Sequence, residues 1–321
     1  MRKALLALLL LGVAGGLAFY LLTMPVRMPA SALPAHMPDL AYGKYMFTAG
    51  GCAECHAVPL EDCDDLKIKD AEILAGGRCL KTPFGTFNVP NISPDKDTGI
   101  GHWTTADFVN AMKHGIAPNG TYLYPAFPYP SYQRMTYEDL IDLKAYLDSL
   151  PAVKSSVPPS ELRFPYNVRR ALGLWNRLYV DGKSFMPEPG ASAEINRGAY
   201  LVRGPAHCSE CHSSRNLLGG IVKDTEFAGA PNLESDGSVP NITPSKDGIG
   251  DWSEEDIAYL LETGNTPDYD TIGETMAPVQ KNMAKLTPED RNAIAAYIKS
   301  LPPRPDAVPK SKKPADGEDR D

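Results

Sequence analysis

At 321 residues the chain has room for two domains, and 43% hydrophobic content lets each half bury a core. A net charge of −8 without a clustered basic patch excludes nucleic acid as the expected partner. Thirty prolines and 27 glycines predict short elements joined by long ordered loops, which suits a fold that wraps a bound group.

Residues 1–37 open with Arg2 and Lys3 and continue through an uncharged run over 4–22. As a helix that run reaches about 28 Å, enough to cross a bilayer core. A cleaved signal peptide is the alternative, with Ala30-Ser31-Ala32 as the candidate cleavage site. That site lies well beyond the run and is flanked by prolines, and the run is long for a signal, so a retained anchor is the preferred reading. The basic N-terminus keeps its end in the cytoplasm. The expected location is therefore a bacterial inner membrane, with everything after Thr23 in the periplasm.

The first domain is expected over 38–151. A helix over 40–49 leads into Cys52-Ala53-Glu54-Cys55-His56. This C-x-x-C-H pattern is the signature of covalent c-type haem attachment. Cys52 and Cys55, on one turn, can form thioethers to the two vinyl groups of one haem. His56 is then held beneath the iron as its proximal ligand. A lone C-x-x-C would also suit a zinc half-site or a redox dithiol. Two further cysteines, Cys63 and Cys79, follow in an irregular stretch running to Gly85. In an oxidising compartment they are expected to form a disulfide, and two free thiols are the alternative. A helix over 106–114 with Thr105 as its cap comes next, ended by Gly115. A last helix starts at the Thr136 cap, carries Leu140, Leu143, Tyr146 and Leu147 as its apolar stripe, and stops at Leu150-Pro151.

Residues 152–192 are a connector with hinge-like prolines at Pro158-Pro159 and Pro187-Glu188-Pro189. Its amphipathic helix, over 168–180, is read as packed between the two domains; a membrane-surface role is the competing reading.

The second domain, 193–302, repeats the first. A helix over 195–203 leads into Cys208-Ser209-Glu210-Cys211-His212, a second C-x-x-C-H with Cys208 and Cys211 as thioether sites and His212 as proximal ligand. The segments 239–244, 248–252, 286–290 and 301–302 match 89–94, 99–103, 135–139 and 150–151 at an offset of about 150 residues, which marks a tandem duplication. Two such motifs behind an export segment predict two covalently bound haem c groups. The tail, 303–321, is rich in Pro, Lys and Asp and is expected to be disordered.

A haem iron that only carries electrons commonly takes methionine as its sixth ligand, which raises its potential. In the second repeat Met276 is the preferred candidate, with Met283 as the other option. In the first repeat the loop before the last helix holds only Met135, which either ligates or acts as a hydrophobic staple at the helix start. Met46 and Met112 are expected in the core. The carbonyl of Pro90, and that of Pro231 or Pro240, is expected to accept the proximal imidazole N–H. Trp103 and Trp252 either donate to a haem propionate or pack. His102, His114 and His207 are weaker ligand candidates.

With these pieces in view, the chain resembles the membrane-anchored dihaem cytochromes c related to the cytochrome subunits of bacterial alcohol, gluconate and sorbitol dehydrogenases. The likeness runs over about residues 30–303. It rests on C-A-E-C-H, the segment 82–87, P-N-I-S/T-P, G-I-G-x-W, L-Y-P-A-F-P-Y-P-S-Y-x-R-M-T and C-S-E-C-H. It implies a mostly α protein of two tandem class I-like cytochrome c domains after an N-terminal transmembrane helix. It also implies electron transfer from a periplasmic or membrane dehydrogenase to a quinone, an oxidase or another cytochrome in a respiratory chain. Several relatives of this kind carry methionine where Phe127 stands, and the dehydrogenase subunits often hold three haems. No general acid, base or nucleophile constellation is present, so a carrier is expected rather than a catalyst. The competing class is a dihaem redox enzyme, a peroxidase or a thiosulfate-oxidising cytochrome, using a haem with an open or unusual sixth position.

Overall fold

A computed structural model describes residues 1–233 and 237–308. Helix α1 (Arg2–Leu22) has no buried residue and meets the rest of the protein at its C-terminal end, where Tyr20 and Leu22 accept from Arg170 and Arg177. Thr23 ends it by turning its hydroxyl back onto the Phe19 carbonyl at 2.7 Å. The chain then runs along the first domain. Met28 and Asn110 exchange backbone and side-chain hydrogen bonds, and Asp142 accepts from the backbone of Asp39.

The first domain contains α2 (Leu40–Ala49), the short α3 (Cys52–His56), α4 (Thr105–His114), the one-turn α5 (Tyr129–Tyr132) and α6 (Tyr137–Ser149). α4 is capped by a reciprocal box between Thr104 and Asp107, so the cap is one residue earlier than the expected Thr105. Gly115, at φ 60°, closes it. The stretch expected to be irregular holds a hairpin instead, β1 (Cys79–Thr82) and β2 (Gly85–Asn88), and β3 (Glu161–Leu162) pairs onto β2. The first connector prolines therefore do not act as a hinge. Residues 153–162 are fastened to domain 1, with Asn91 donating to the Val153 carbonyl and Asn88 to that of Pro159.

After a 3-10 turn (Arg169–Ala171), α7 (Leu172–Tyr179) forms most of the expected connector helix. The second domain follows with α8 (Ala193–Arg203), α9 (Ser209–His212), the paired β4 (Ala230–Pro231) and β5 (Ser238–Val239), α10 (Glu254–Thr263), α11 (Met276–Met283) and α12 (Pro288–Ser300). The start of the tail is not disordered. Asn241 donates to the Arg304 carbonyl as Asn91 does to Val153, and the Ala307 amide bonds to Ala228. The rest of the tail, 309–321, lies outside the described residues.

Each domain builds its core at one close helix crossing, α2 on α6 and α8 on α12. A Cβ on Gly43 would lie 2.2 Å from the Asp142 carbonyl oxygen, and one on Gly198 would lie 1.8 Å from that of Ala293. Only glycine lets two backbones approach this closely. The cores are distinct but touch. Ala49 at the end of α2 is buried among residues of domain 2 rather than domain 1.

Candidate haem sites and the interface between them

Gly51 enters α3 at φ 58°, a left-handed turn that swings Cys52 to Cys55 onto one short helix. His56 follows on the same turn. Its Nδ1 donates to the Pro90 carbonyl at 2.8 Å. A carbonyl can only accept, so the hydrogen sits on Nδ1 and the lone pair on Nε2. Burial lowers the His56 pKa to about 4, against the opposing effect of the hydrogen bond it donates to Pro90, so the ring is held neutral. His212 repeats this at the end of α9. Its Nδ1 donates to Pro240 at 2.8 Å, and burial again lowers its pKa. Of the two prolines considered there, Pro240 is the acceptor, while Pro231 lies in β4. A neutral imidazole with Nε2 open, beside two thiols on one helical turn, is the donor set a haem requires. Burial raises the pKa of both leading thiols, Cys208 to about 12.

The remaining candidates fall in different places. Cys63 and Cys79 are joined as a disulfide at the base of the hairpin. Met135 is 1% exposed in the domain 1 core, in one cluster with Met46, Met112, Ala53 inside the first motif and Ala57 just after it. Phe127 packs on the edge of that cluster, its ring 5.5 Å from Tyr132. Met276 starts α11 half-buried, whereas Met283 is 3% exposed inside the domain 2 core. Trp103 and Trp252 pack against their domains' cores. His102 is exposed, and Gly182 sits against His114.

His207 has a structural use. At φ 41° it lies just before Cys208, donates from Nε2 to the Gly50 carbonyl at 3.4 Å, and stacks edge-on with Tyr132 at 5.4 Å. The Tyr132 hydroxyl donates to the same carbonyl at 3.3 Å. A Cβ on Gly50 would lie 3.4 Å from Cys52 Sγ and 3.7 Å from the Pro205 carbonyl. The turn leading into the first motif is thus packed against the turn leading into the second.

The middle residue of each motif crosses the boundary as well. Glu54 accepts from Asn282 of domain 2, and Glu210 accepts from Ser131 of domain 1 at 2.7 Å. Asn282 and Ser131 hold matching places in the two repeats, so the domains meet about a pseudo-twofold axis. Arginines reinforce both motifs. Arg78 donates to the Glu54 carbonyl at 2.9 Å, and Arg215 to the Glu210 carbonyl at 3.0 Å and the Glu210 carboxylate at 2.5 Å. Burial raises the Glu54 pKa, and its Oε2 has no hydrogen-bond partner among the described residues. Sequence reading passed over these residues, although a glutamate at the same place in both motifs was the available signal.

The cytochrome c family profile matches residues 40–151 and again 195–302. The chain is 46% identical to a diheme cytochrome c-type protein of Cereibacter sphaeroides, over 94% of this chain and 99% of that one. It is 38% identical to the cytochrome c subunit of a quinone alcohol dehydrogenase of Gluconacetobacter polyoxogenes, over 82% of this chain and 56% of that one. It is 35% identical to the gluconate 2-dehydrogenase cytochrome c subunit of Pantoea cypripedii, over 81% of this chain and 58% of that one. The chain spans a little over half the length of those two dehydrogenase subunits. With the family matched once in each helical domain and each match containing one C-x-x-C-H motif, the chain belongs to the cytochrome c family.

Proposed function

We propose that this chain is a tethered dihaem relay that takes single electrons from a periplasmic or membrane dehydrogenase and passes them to a respiratory acceptor. The observation that carries the reading is the contact between the two motif turns, Gly50 against Pro205 and His207. Two sites so placed exchange electrons over a short, rigid path. When bound, haem supplies a one-electron couple whose potential follows its axial ligands and surroundings.

Cys52 and Cys55 would hold the first haem covalently and Cys208 and Cys211 the second. His56 and His212 would present Nε2 to the irons, oriented by Pro90 and Pro240. Met276 is the proposed sixth ligand in domain 2 and Met135 in domain 1. The dehydrogenase donor is supported by the two relatives named as dehydrogenase subunits; quinone, oxidase or another cytochrome is the acceptor class.

The anchor is retained in this reading. Arg170 donates to Thr23 and Tyr20, and Arg177 to the Leu22 carbonyl. Cleavage at Ala30-Ser31-Ala32 would discard those contacts and the Met28–Asn110 pair. The intact mass of the protein taken from membranes is then expected to include residues 1–32.

Turnover tests the relay. The purified full chain, reduced by a small one-electron donor, is expected to hold two electrons and to consume neither peroxide nor thiosulfate. Catalytic loss of either substrate by the protein alone overturns the carrier reading in favour of a dihaem redox enzyme.

A further inference from the structure

We infer that α7, together with the loop carrying Leu217 and Leu218, rests on the phospholipid surface and fixes how the two haem domains sit over the membrane. The inference depends on the retained anchor proposed above.

The anchor sets where the membrane surface must be. Its 21 residues rise about 30 Å, the thickness of a hydrocarbon core, so Tyr20 to Thr23 fall at the outer interface. α7 is fastened at that level. Arg177 Nε donates to the Leu22 carbonyl at 2.6 Å, and Arg170 Nε to the Thr23 hydroxyl at 2.9 Å. The Arg170 guanidinium also covers the Tyr20 ring at 4.5 Å. A Cβ on Gly173 would lie 2.8 Å from the Thr23 Cα, so helix and anchor are in backbone contact.

Helical geometry then assigns the faces of α7. At 100° per residue, Gly173 and Arg177 share the side toward the anchor, and Arg170, in the 3-10 turn before α7, reaches the same anchor residues. Asn176 points to domain 1, where it donates to the His114 carbonyl and accepts from Tyr129. Trp175 points to domain 2 and donates to the Leu218 carbonyl at 2.8 Å. Between the anchor side and the Trp175 side lie Leu174 and Leu178, which are 37% and 66% exposed. Across from them, the tip that Trp175 holds presents Leu217 at 97% and Leu218 at 62% exposure.

An apolar stripe and an apolar loop tip, bordered by arginines and level with the end of a membrane helix, match the composition of an interfacial surface. Lipid is the occupant this position selects. The leucines enter the acyl boundary, and Arg170 and Arg177 stand where headgroup phosphates are. The cationic edge contrasts with the net charge of −8 of the whole chain, so it is complementary to an anionic leaflet.

The full-length holoprotein is reconstituted into nanodiscs of phosphatidylethanolamine and phosphatidylglycerol with no partner present. A solvatochromic maleimide is placed on Leu178→Cys, on Leu217→Cys, or on the exposed Tyr269→Cys of domain 2 as the water reference. The first two dyes are expected to be blue-shifted and to be quenched by headgroup nitroxide lipid, and the reference to show neither effect. Water-like emission at both leucine positions in a chain that has entered the disc overturns the inference and leaves the anchor standing. So does shielding that appears only in native membranes, which assigns the patch to a protein partner. A chain that fails to enter the disc overturns the anchor and this inference together.

Discussion

Tyr200 of the second domain donates its hydroxyl to Asp139 of the first, and Tyr45 of the first donates to Asp290 of the second at 2.5 Å. Each tyrosine oxygen also accepts the amide of the opposing helix's cap, Thr136 at 3.3 Å and Thr287 at 3.2 Å. The duplication therefore produced an isologous joint as well as two similar halves. Each copy of one tyrosine is inserted at the N-terminus of the other copy's last helix.

The two tyrosines differ in what they leave behind. Asp290 keeps the Arg197 guanidinium at 2.7 Å when Tyr45 is truncated, whereas Asp139 is buried beside Tyr200. Tyr200→Phe is expected to cost about 1.5–3 kcal/mol, the range for hydrogen bonds to charged groups, and Tyr45→Phe less. Denaturant unfolding of the holoprotein, followed at the haem absorbance, checks the order. Equal costs would remove the asymmetry.

Gly198 and Gly43 are the closest helix contacts in the two cores. Gly198→Ala and Gly43→Ala are each expected to destabilise by at least about 1–3 kcal/mol, the usual penalty for overpacking, with Gly198→Ala the worse. Gly273→Ala, where a Cβ meets nothing within 4 Å, serves as the neutral control in thermal unfolding.

The Cys63–Cys79 bridge closes a loop of 16 residues at the hairpin base. Its removal by paired serine substitutions is expected to cost about 3 kcal/mol in the chain-entropy account. The intact protein should resist alkylation at both positions until it is reduced. Alkylation without reductant would contradict the bridge.

Methionine ligation is testable residue by residue. Met276→Leu is expected to lower the midpoint potential of one haem in a redox titration, because loss of the thioether removes the ligand that favours ferrous iron. Met283→Leu is expected to leave both potentials in place and to show a modest stability loss from the core. A potential shift in Met283→Leu alone would transfer the assignment. The same pairing applies to Met135→Leu, read by carbon monoxide binding to the first haem only.

Much of the fold was legible because its signals are local. Thr136 and Asp139, three residues apart, cap one helix whatever lies beyond it, and the same pattern at Thr287 and Asp290 revealed the repeat. The C-x-x-C-H spacing is local for the same reason. The hairpin β1–β2 is not legible in sequence because its second strand also pairs with a distant segment, Gly85 at φ 128° against Leu162 and Thr86 against Glu161, and nothing near it in sequence announces that partner. The prolines at Pro158-Pro159 read as hinge-like in sequence, but Pro159 is held by Asn88, a long-range contact that composition does not encode.

The sequence by itself determined two haem motifs, their duplication, the capped helices and an apolar N-terminal run, since each is written in residues a few positions apart. Only the tertiary structure decided how the copies face one another. Glu54 meeting Asn282, Glu210 meeting Ser131, and α7 meeting Leu22 and Thr23 bring together groups far apart along the chain. The physical reason is that close packing selects partners by shape and by burial of polar atoms, and neither quantity exists until the chain has folded.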